Sequence, residues 1–315
     1  MSRRAKRSTG KKIFWTIFAI VVGIVVIGVG VGAKVYFDIS SSVKETYEAV
    51  DRNKSEKPRE EPLDLKKEQP FSILLLGIDT GDLGRIEQGR SDTLMVATVN
   101  PKEKKTTLVS IPRDTYLEIV GHGTDDKVNH AYAFGGPAMS MDTIEKYLDI
   151  PIDHYVSVNM MGIKELVDAV GGVDVNNDLE FDQSGEHFDF GPIHLEGDRT
   201  LAYLRMRHED TRGDYGRQLR QRSVVEAIVK KGLSLSGVSQ YKNILDAMEG
   251  NVRTDMTLDD MQKIALNYRE GFTKINSLQM QGEGFMQDGI SYQRVDEDEL
   301  ANIQKELKNQ LNIRE

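Results

Sequence analysis

Residues 71–78 read FSILLLGI, an uninterrupted apolar run that ends at Asp79 and a glycine-rich loop. The run has the length of a β-strand, and its continuous hydrophobicity is typical of a strand that is buried on both faces. Similar apolar runs follow at residues 93–99 and 107–111. Together the three runs predict the centre of a buried β-sheet.

Segments with a helical spacing of apolar residues lie between and after these runs. They are residues 138–148, 160–170, 218–229, 244–248, 258–266 and 300–311. Mixed strands and helices of this kind predict an α/β domain in which helices cover both faces of the sheet. The polar, turn-rich residues 173–200 are predicted to form a hairpin insertion.

The N-terminal part of the chain carries a longer apolar run. Residues 13–33 are uncharged and are preceded by six basic residues, and a run of this length suffices for a helix across about 30 Å of hydrocarbon. The arrangement predicts a transmembrane helix over residues 13–33, with the basic tail of residues 1–12 in the cytoplasm. A cleavable signal peptide, which also begins basic and then apolar, is the alternative.

A charged segment separates this run from the first strand. Of the 33 residues 38–70, 16 are charged, with both signs mixed and three prolines among them. Such a composition buries too little apolar surface to fold by itself. Residues 34–70 are therefore predicted to form an extracellular stalk, although residues 43–52 fit a short helix. The remaining residues 71–315 suffice for one large extracellular domain.

The charge of the chain is unevenly distributed. The formal net charge is -9, but residues 35–315 carry -16, because the seven charged residues before them are all basic. An acidic domain gives no support for nucleic-acid binding, which depends on a basic surface. It must meet an anionic ligand with a local basic pocket. The chain has no cysteine, which excludes disulfides and thiolate metal sites.

Charged residues gather at the ends of the predicted strands. Asp79 follows the first strand, Arg90 and Asp92 stand at the start of the second, and Arg113 and Asp114 follow the third. Ligands of open α/β sheets tend to bind beyond the carboxyl ends of the strands. If Asp79 and Asp92 meet in space, they form a hard oxygen site that suits Mg²⁺. The planar guanidinium groups of the arginines can each donate two hydrogen bonds to phosphate oxygens. The alternative is that each aspartate caps a turn and each arginine pairs with one of them at the surface.

A second basic cluster lies in YLRMRHEDTRGDYGRQLRQR, which begins at residue 203 and holds six arginines. Arg205 and Arg207 share one face only in an extended segment, so the preceding helix is predicted to end near Arg205. Arg217, Arg220 and Gln221 have the spacing of one face of the next helix, near its N-terminus. That end of a helix favours anions.

The alternative for this stretch is a solvated face on which arginines pair with Glu209, Asp210 and Asp214. It accounts for Arg212 and Arg222. It does not explain why two segments would offer arginines to a common side. No zinc-protease, P-loop, nucleophile-elbow or dinucleotide-binding motif occurs in the sequence, so those enzyme classes lose their usual support.

The motifs LLLGID, RSDTL, SIPRD, YLRMR and GDYGRQLRQ, in this order after a predicted membrane helix, resemble the LytR-CpsA-Psr family of Gram-positive bacteria. The resemblance covers essentially the whole chain. It implies a three-layer α-β-α sandwich with an apolar tunnel for a polyprenyl lipid and the pyrophosphate at the tunnel mouth. It also implies a phosphotransferase that moves a glycopolymer, with wall teichoic acid as the expected polymer, from that lipid to a peptidoglycan sugar hydroxyl and releases polyprenyl phosphate.

The resemblance also assigns roles to residues that match the motifs. Asp79 and Asp92 take the family's Mg²⁺ role, with Mn²⁺ as an alternative ion. The pyrophosphate contacts fall on Arg90, Arg113, Arg205, Arg207, Arg217 and Gln221. Arg85 and Arg220 lie nearby without so clear a motif match. The expected catalytic residues are Arg113, Asp79, Asp92 and Asp114, and either Asp114 or Asp79 takes the proton of the attacking hydroxyl.

Several alternatives stay open from the sequence. Val224, Val225, Ile228 and Val229 either line the tunnel or belong to an ordinary core. The same phosphate contacts would serve a polyprenyl-pyrophosphate hydrolase that uses water as the acceptor. A non-catalytic membrane scaffold that holds anionic lipid or wall polymer is the third function. The expected partners are the lipid-linked glycopolymer, peptidoglycan and the cytoplasmic membrane, with no nucleic acid.

Overall fold

The computed structural model describes the larger part of the chain. The described residues are 37–52, 59, 62–79, 89–232, 234 and 240–313.

The strands are β1 (Phe71–Ile78), β2 (Ser91–Asn100), β3 (Lys105–Ile111), β4 (Tyr116–Ile119), β5 (Thr124–Lys127), β6 (His154–Asn159), β7 (Val173–Asn177), β8 (Phe181–Gln183), β9 (Glu186–Phe188), β10 (Gly191–Leu195), β11 (Val252–Thr254), β12 (Lys274–Gln279), β13 (Gly282–Gln287) and β14 (Ile290–Val295). The helices are α1 (37–46), α2 (His130–Leu148), α3 (Met160–Ala169), α4 (Gly197–Arg205), α5 (Asp214–Gly232), α6 (Tyr241–Met248), α7 (Leu258–Asn267) and α8 (Glu297–Gln310), and short 3₁₀ helices span Leu65–Lys67 and Arg269–Phe272.

A six-stranded mixed sheet forms the centre of the domain, in the order β11-β6-β1-β2-β3-β12. Strand β1 pairs antiparallel with β2 and parallel with β6, and β3 pairs parallel with β12. The three predicted strands are confirmed as β1, β2 and β3, and β1 has the predicted bounds. The prediction of an α/β domain with a mixed central sheet is confirmed.

The two faces of β1 have different surroundings. Leu74, Leu76 and Ile78 are buried and pack in one cluster with residues of α2 and α8. Leu75 and Gly77 point to the other face and line a cavity. Helices therefore pack on both faces, as predicted, and on the second face part of the space between sheet and helices is a cavity. Continuous hydrophobicity has the same appearance in a sequence whether an apolar side chain meets a helix or an apolar cavity.

Helices lie on both sides of the sheet. Helices α2 and α8 cover the face of Leu74, and α5 packs Val225 against Met95 on the other face. Helix α3 also lies on this second side, where its residues line the cavity. Each of the six predicted helices is present. The predicted helix 138–148 is the second part of α2, which is interrupted by non-helical backbone at Gly135 and Gly136.

The predicted hairpin insertion is present between α3 and α4. Strands β7 and β10 pair antiparallel, and between them β8 and β9 form a smaller hairpin. The insertion ends at Leu195, because α4 begins at Gly197. The aromatic rings of Phe181, Phe188 and Tyr203 stack beneath it. This cluster joins the insertion to α4 and so supports the end of α4 that carries Arg205.

The described part of the predicted stalk packs against the domain. Helix α1 is followed by a parallel bridge between Tyr47 and Thr254, and Arg52 forms ion pairs of 2.6 Å with Asp142 and 2.8 Å with Glu145. The described part of this helix ends at residue 46, six residues before the end of the predicted helix 43–52. Among the described residues, none of the helices has the length and apolar character needed to cross a membrane. The predicted transmembrane span 13–33 lies outside those residues.

Candidate active site

A cavity of about 520 Å³ separates the second face of the sheet from α3, α4 and α5. Its wall is mainly apolar and is formed by β1, β2, β6 and the facing sides of the helices. Val224, Val225, Ile228 and Val229 of α5 all line it, and Val224 and Ile228 also pack in a core cluster. A cavity of this lining suits an apolar chain.

Polar and charged side chains meet at one end of the cavity, which we call the mouth. They come from the end of β1, the start of β2, the end of α4 and the first turns of α5. These residues are Asp79, Asp92, Arg205, Arg207, Arg217 and Gln221. Six residues predicted from the sequence as parts of a site are therefore brought together at this place.

The pairing of β1 with β2 places the two carboxylates of the mouth. Ile78 lies opposite Ser91 in the antiparallel ladder, and the backbone N–H of Asp79 donates to the carbonyl of Arg90 at 3.0 Å. The end of one strand and the start of the next thus fall side by side, so Asp79 and Asp92 line the same opening. Arg90 is exposed beside them and is not part of the cavity wall.

Arg113 lies at the centre of a group of carboxylates. Its Nη1 contacts Asp92 at 2.9 Å, and its Nε lies 3.7 Å from Asp114 and 3.9 Å from Asp214. Burial acts to lower the pKa of Arg113, but the three aspartates together raise it above the ordinary arginine value. Asp114 also contacts Lys127 at 2.9 Å. Arg113 is thus anchored through Nη1 by Asp92, while its buried Nε has no hydrogen-bond partner among the described residues.

Asp214 connects the two arginine clusters, and its role is not evident from the sequence. It lies 3.9 Å from Arg113 Nε and 2.7 Å from Arg217 Nη2. It is also the acidic residue of the first turn of α5, where a negative charge is favourable. The sequence predicts Asp214 only as a partner of arginines on a solvated face. The i, i+3 spacing from Asp214 to Arg217 is the signal that indicates the contact.

The mouth carries more positive charge near Arg217 than its carboxylates balance. Burial, together with the neighbouring charges of Arg113 and Arg207, lowers the pKa of Arg217 to about 10, against the opposing effect of Asp214. The group still remains protonated at neutral pH. Within the described part of the chain, Arg217 Nε and Gln221 Oε1 are buried and have no hydrogen-bond partner. Both observations favour an anionic, hydrogen-bonding ligand at this point.

Arg220 is the member of the predicted set that the structure places elsewhere. Its side chain is buried, donates to Asp210 Oδ2 at 2.7 Å and to the carbonyl of Met206 at 2.9 Å, and does not line the cavity. Burial acts to raise the pKa of Asp210, but hydrogen bonds from Arg212 and Arg220 lower it to about 2. A Cβ at Gly216 would overlap the Asp210 carboxylate. Arg220 therefore holds the loop between α4 and α5 in shape.

Two further arginines of the stretch differ in their surroundings. Arg212 is partly exposed and pairs with Asp178 and Asp210, close to the solvated pairing expected for it. Arg222 is not solvated: it is buried and donates to the carbonyl of Leu278 at 2.9 Å. It fastens α5 to β12, a contact between distant parts of the chain that helical spacing does not reveal. Arg85 lies outside the described residues.

The carboxylates of the mouth fit a hard divalent cation that shares its coordination with a ligand. Among the described residues, no group of three or more His, Cys, Asp or Glu side chains is arranged to hold a metal. Mg²⁺ commonly uses one or two carboxylates and takes its remaining oxygens from water and substrate phosphate. Asp79 and Asp92 are two such carboxylates at one opening. The donor set is therefore compatible with Mg²⁺ when a phosphate is present.

Comparison with known proteins relates this geometry to a family. The LytR_cpsA_psr family model matches residues 33–309. A protein of Enterococcus faecalis (strain ATCC 700802 / V583), named polyisoprenyl-teichoic acid–peptidoglycan teichoic acid transferase TagU, is 59% identical over 307 residues. Those residues are 98% of this chain and 100% of that protein.

Solved structures show the same relationship. The crystal structure of B. subtilis TagU aligns with a TM-score of 0.62 at 42% identity, covering 77% of this chain and 97% of that one. The structure of TagT bound to LIIa-WTA aligns with a TM-score of 0.70 at 33% identity, covering 84% of this chain and 99% of that one.

Proposed function

The chain belongs to the LytR_cpsA_psr family, and on that premise we propose that it transfers teichoic acid from a polyisoprenyl-pyrophosphate carrier to peptidoglycan. The related protein of Enterococcus faecalis carries this activity in its name, and the related TagT is bound to LIIa-WTA. The observation that carries the proposal is the junction of an apolar cavity with a cationic mouth. A hydrocarbon chain that ends in a pyrophosphate matches both halves of that junction.

Different parts of the site bind different parts of the donor. The lipid occupies the cavity, and Arg205, Arg207, Arg217 and Gln221 contact the pyrophosphate at its opening. Arg113 and the exposed Arg90 approach the same phosphates from the strand side. Arginine suits this role because its planar fork binds two phosphate oxygens at once. In an acidic domain, these residues supply the local positive charge that a doubly anionic pyrophosphate requires.

The transfer step replaces the phosphoanhydride bond of the pyrophosphate by a phosphate ester bond. The acceptor hydroxyl oxygen forms a bond to the phosphorus that bears the glycopolymer, and the bond from that phosphorus to the bridging oxygen breaks. Polyprenyl phosphate leaves with the electron pair, and the hydroxyl proton passes to Asp79 or Asp114. Arg113 and Arg217 stabilise the negative charge that develops on the departing phosphate, as cationic groups do in other phosphoryl transfers.

Asp79 and Asp92 are the residues that would hold Mg²⁺, or Mn²⁺ in its place. When bound, the ion supplies positive charge to the phosphate oxygens. The ion pair of 2.9 Å between Asp92 and Arg113 keeps one of these carboxylates oriented toward the opening. Metal and arginine charges would then surround the pyrophosphate from both sides.

The same substrate suggests where the protein resides. Residues 13–33 anchor the chain in the cytoplasmic membrane, with residues 1–12 in the cytoplasm and residues 34–70 leading to the extracellular catalytic domain 71–315. The uncharged run and the basic residues before it support this arrangement. The domain would then meet a lipid carrier and the wall on the same side of the membrane.

The test compares transfer by the full chain and by Arg113→Lys. The donor is a polyprenyl-pyrophosphate saccharide, the acceptor is a soluble peptidoglycan glycan oligomer, and Mg²⁺ is present or removed by a chelator. We expect wild type to join saccharide to oligomer only when the metal is present. We expect the variant to be slower by about 100-fold or more, because the point charge of a lysine cannot replace the two-pronged contact of a guanidinium with phosphate oxygens.

Arg269→Lys is the matched control, because Arg269 is exposed in a 3₁₀ helix and does not line the cavity. It should transfer at the wild-type rate. Release of polyprenyl phosphate without joined product would replace the transferase by a hydrolase. A donor that stays intact beside a competent acceptor would point to a non-catalytic scaffold.

A further inference from the structure

A pair of stacked rings lies outside the mouth and has no part in the donor site. His122, in the turn between β4 and β5, stacks on Phe134 of α2 with ring centroids 4.0 Å apart and planes 7° from parallel. Phe134 nevertheless remains 43% exposed. We call these two residues the aromatic platform. It presents part of a flat aromatic surface to solvent.

The backbone on both sides of the platform is shaped to present it. Gly121 and Gly123 flank His122 with φ angles of 84° and 77°. Immediately after Phe134, Gly135 and Gly136 leave the helical conformation, and Gly136 has a φ of 64° and a ψ of -152°. L side chains rarely adopt the positive φ of Gly121, Gly123 and Gly136, so glycine is required at these positions. The glycines therefore fix the turns that bring the two rings together.

The platform is connected directly to Arg113. The backbone N–H of Asn129, which precedes α2, donates to the carbonyl of Arg113 at 3.2 Å. His130 follows, and its ring lies 5.8 Å from that of Phe134. Asn129 is only 3% exposed, and neither its Oδ1 nor His130 Nε2 has a hydrogen-bond partner among the residues that the structure describes. Asn129 and His130 thus connect Arg113 to Phe134 along the chain, and each has a buried polar atom that can accept a hydrogen bond.

The position of the platform agrees with the direction from which an acceptor must come. The cavity lies on the face of β1 that carries Leu75, whereas α2 packs on the opposite face, against Leu74 and Leu76. In phosphoryl transfer the attacking and leaving oxygens lie roughly in line on opposite sides of phosphorus. If the leaving polyprenyl phosphate is drawn toward the cavity, the attacking hydroxyl approaches from the side of α2.

Resting on the proposed function, we propose that the aromatic platform, together with Asn129 and His130, is the subsite that binds the acceptor sugar of peptidoglycan. A pyranose ring has an apolar C–H face and a rim of hydroxyls. The face stacks on the exposed side of Phe134, where the ring quadrupole attracts C–H groups. The hydroxyls donate to Asn129 Oδ1 and, when that nitrogen is unprotonated, to His130 Nε2.

The experiment measures acceptor and donor KM separately for the full chain and for Phe134→Ala. The acceptor is a soluble peptidoglycan glycan oligomer, and its binding is also measured in the absence of donor. We expect Phe134→Ala to raise the acceptor KM by about five- to tenfold, with the donor KM unchanged. Phe134→Tyr, which keeps the flat ring, should restore the wild-type acceptor KM, and His122→Ala should act in the same direction as Phe134→Ala.

Phe190→Ala is the matched control, because Phe190 is 70% exposed and lies in the hairpin insertion. It should leave both KM values unchanged. An acceptor KM that is unaltered in both Phe134→Ala and His122→Ala overturns the subsite, as does a rise confined to the donor KM. If wild type binds the oligomer through the platform but transfers nothing to it, the proposed function fails and the subsite stands. If wild type transfers while the two variants bind the oligomer normally, the subsite fails and the function stands.

Discussion

At the scale of single residues, arginines with the same helical spacing in the sequence have different environments in the structure. Arg217 lines the mouth of the cavity, whereas Arg220, three residues later, lies outside it and donates through both terminal nitrogens to Asp210 and to the carbonyl of Met206. Helical spacing predicts that both lie on one face. It does not predict that Asp210, in the preceding loop, pairs with Arg220, whereas Arg217 pairs with Asp214 at the mouth.

Asp210→Asn tests the structural role of that ion pair. Both side chains of the Asp210–Arg220 pair are 1% exposed, so the substitution leaves a buried charge without its partner. We expect a loss of about 3–5 kcal/mol in the free energy of unfolding at pH 7, measured by denaturant titration. Asp178→Asn, which removes an exposed partner of Arg212, is the control and should change stability little.

The Asp210–Arg220 pair also predicts how the free energy of unfolding changes at acidic pH. Because the folded-state pKa of Asp210 is about 2 and the unfolded value is about 3.9, its contribution is complete above the unfolded value. It is lost as pH falls through the folded one. The difference in stability between wild type and Asp210→Asn should therefore shrink between about pH 4 and pH 2. A constant difference across that interval would assign the effect to packing.

At the scale of secondary-structure elements, the sequence predicts more than at the scale of residues. The apolar runs at β1, β2 and β3 and the helical spacing of α3 and α5 are local signals, and each is confirmed. The cavity is not a local property, because it arises where α5 stands away from the sheet. The contact between Arg222 and the carbonyl of Leu278, 56 residues apart in the chain, is likewise invisible to periodicity.

Helix α5 offers a test of the cavity as the lipid site. Ile228 lines the cavity, and Ile228→Trp would fill part of its volume. We expect the donor KM to rise by about tenfold or more, because overpacking costs about 1–3 kcal/mol, while the acceptor KM stays unchanged. Leu266→Trp, at an 81% exposed position on α7, is the control. An unaltered donor KM in Ile228→Trp would show that the lipid lies elsewhere.

At the scale of the whole molecule, His154 at the start of β6 interacts with Asp153 beside it and with Asp255 and Asp260 from a much later part of the chain. This side chain is largely buried, and its Nδ1 lies 3.4 Å from Asp255. Burial acts to lower the pKa of His154, but Asp255, Asp153 and Asp260 together raise it above the ordinary histidine value. A protonated His154 therefore contributes stability to the folded domain.

The sign of the resulting pH dependence follows from linkage. A raised folded-state pKa means that the contribution is complete below the unfolded value of about 6.5 and is lost as pH rises through the folded value. We expect the free energy of unfolding to fall over that interval in wild type, and His154→Gln to lack this fall. His208→Gln, at an exposed position, should retain it. A fall of equal size in His154→Gln would assign the pH dependence to other groups.

The alternation along β1 has an evolutionary consequence. Leu74, Leu76 and Ile78 belong to the core cluster, and Leu75 and Gly77 line the cavity, whose wall Leu76 and Ile78 also reach. Because side chains alternate along a strand, inserting or deleting one residue near Leu74 would turn the core side chains toward the cavity. Related proteins can therefore adapt to a different membrane lipid by amino-acid substitutions at the cavity positions of β1. They cannot do so by insertions or deletions within the strand.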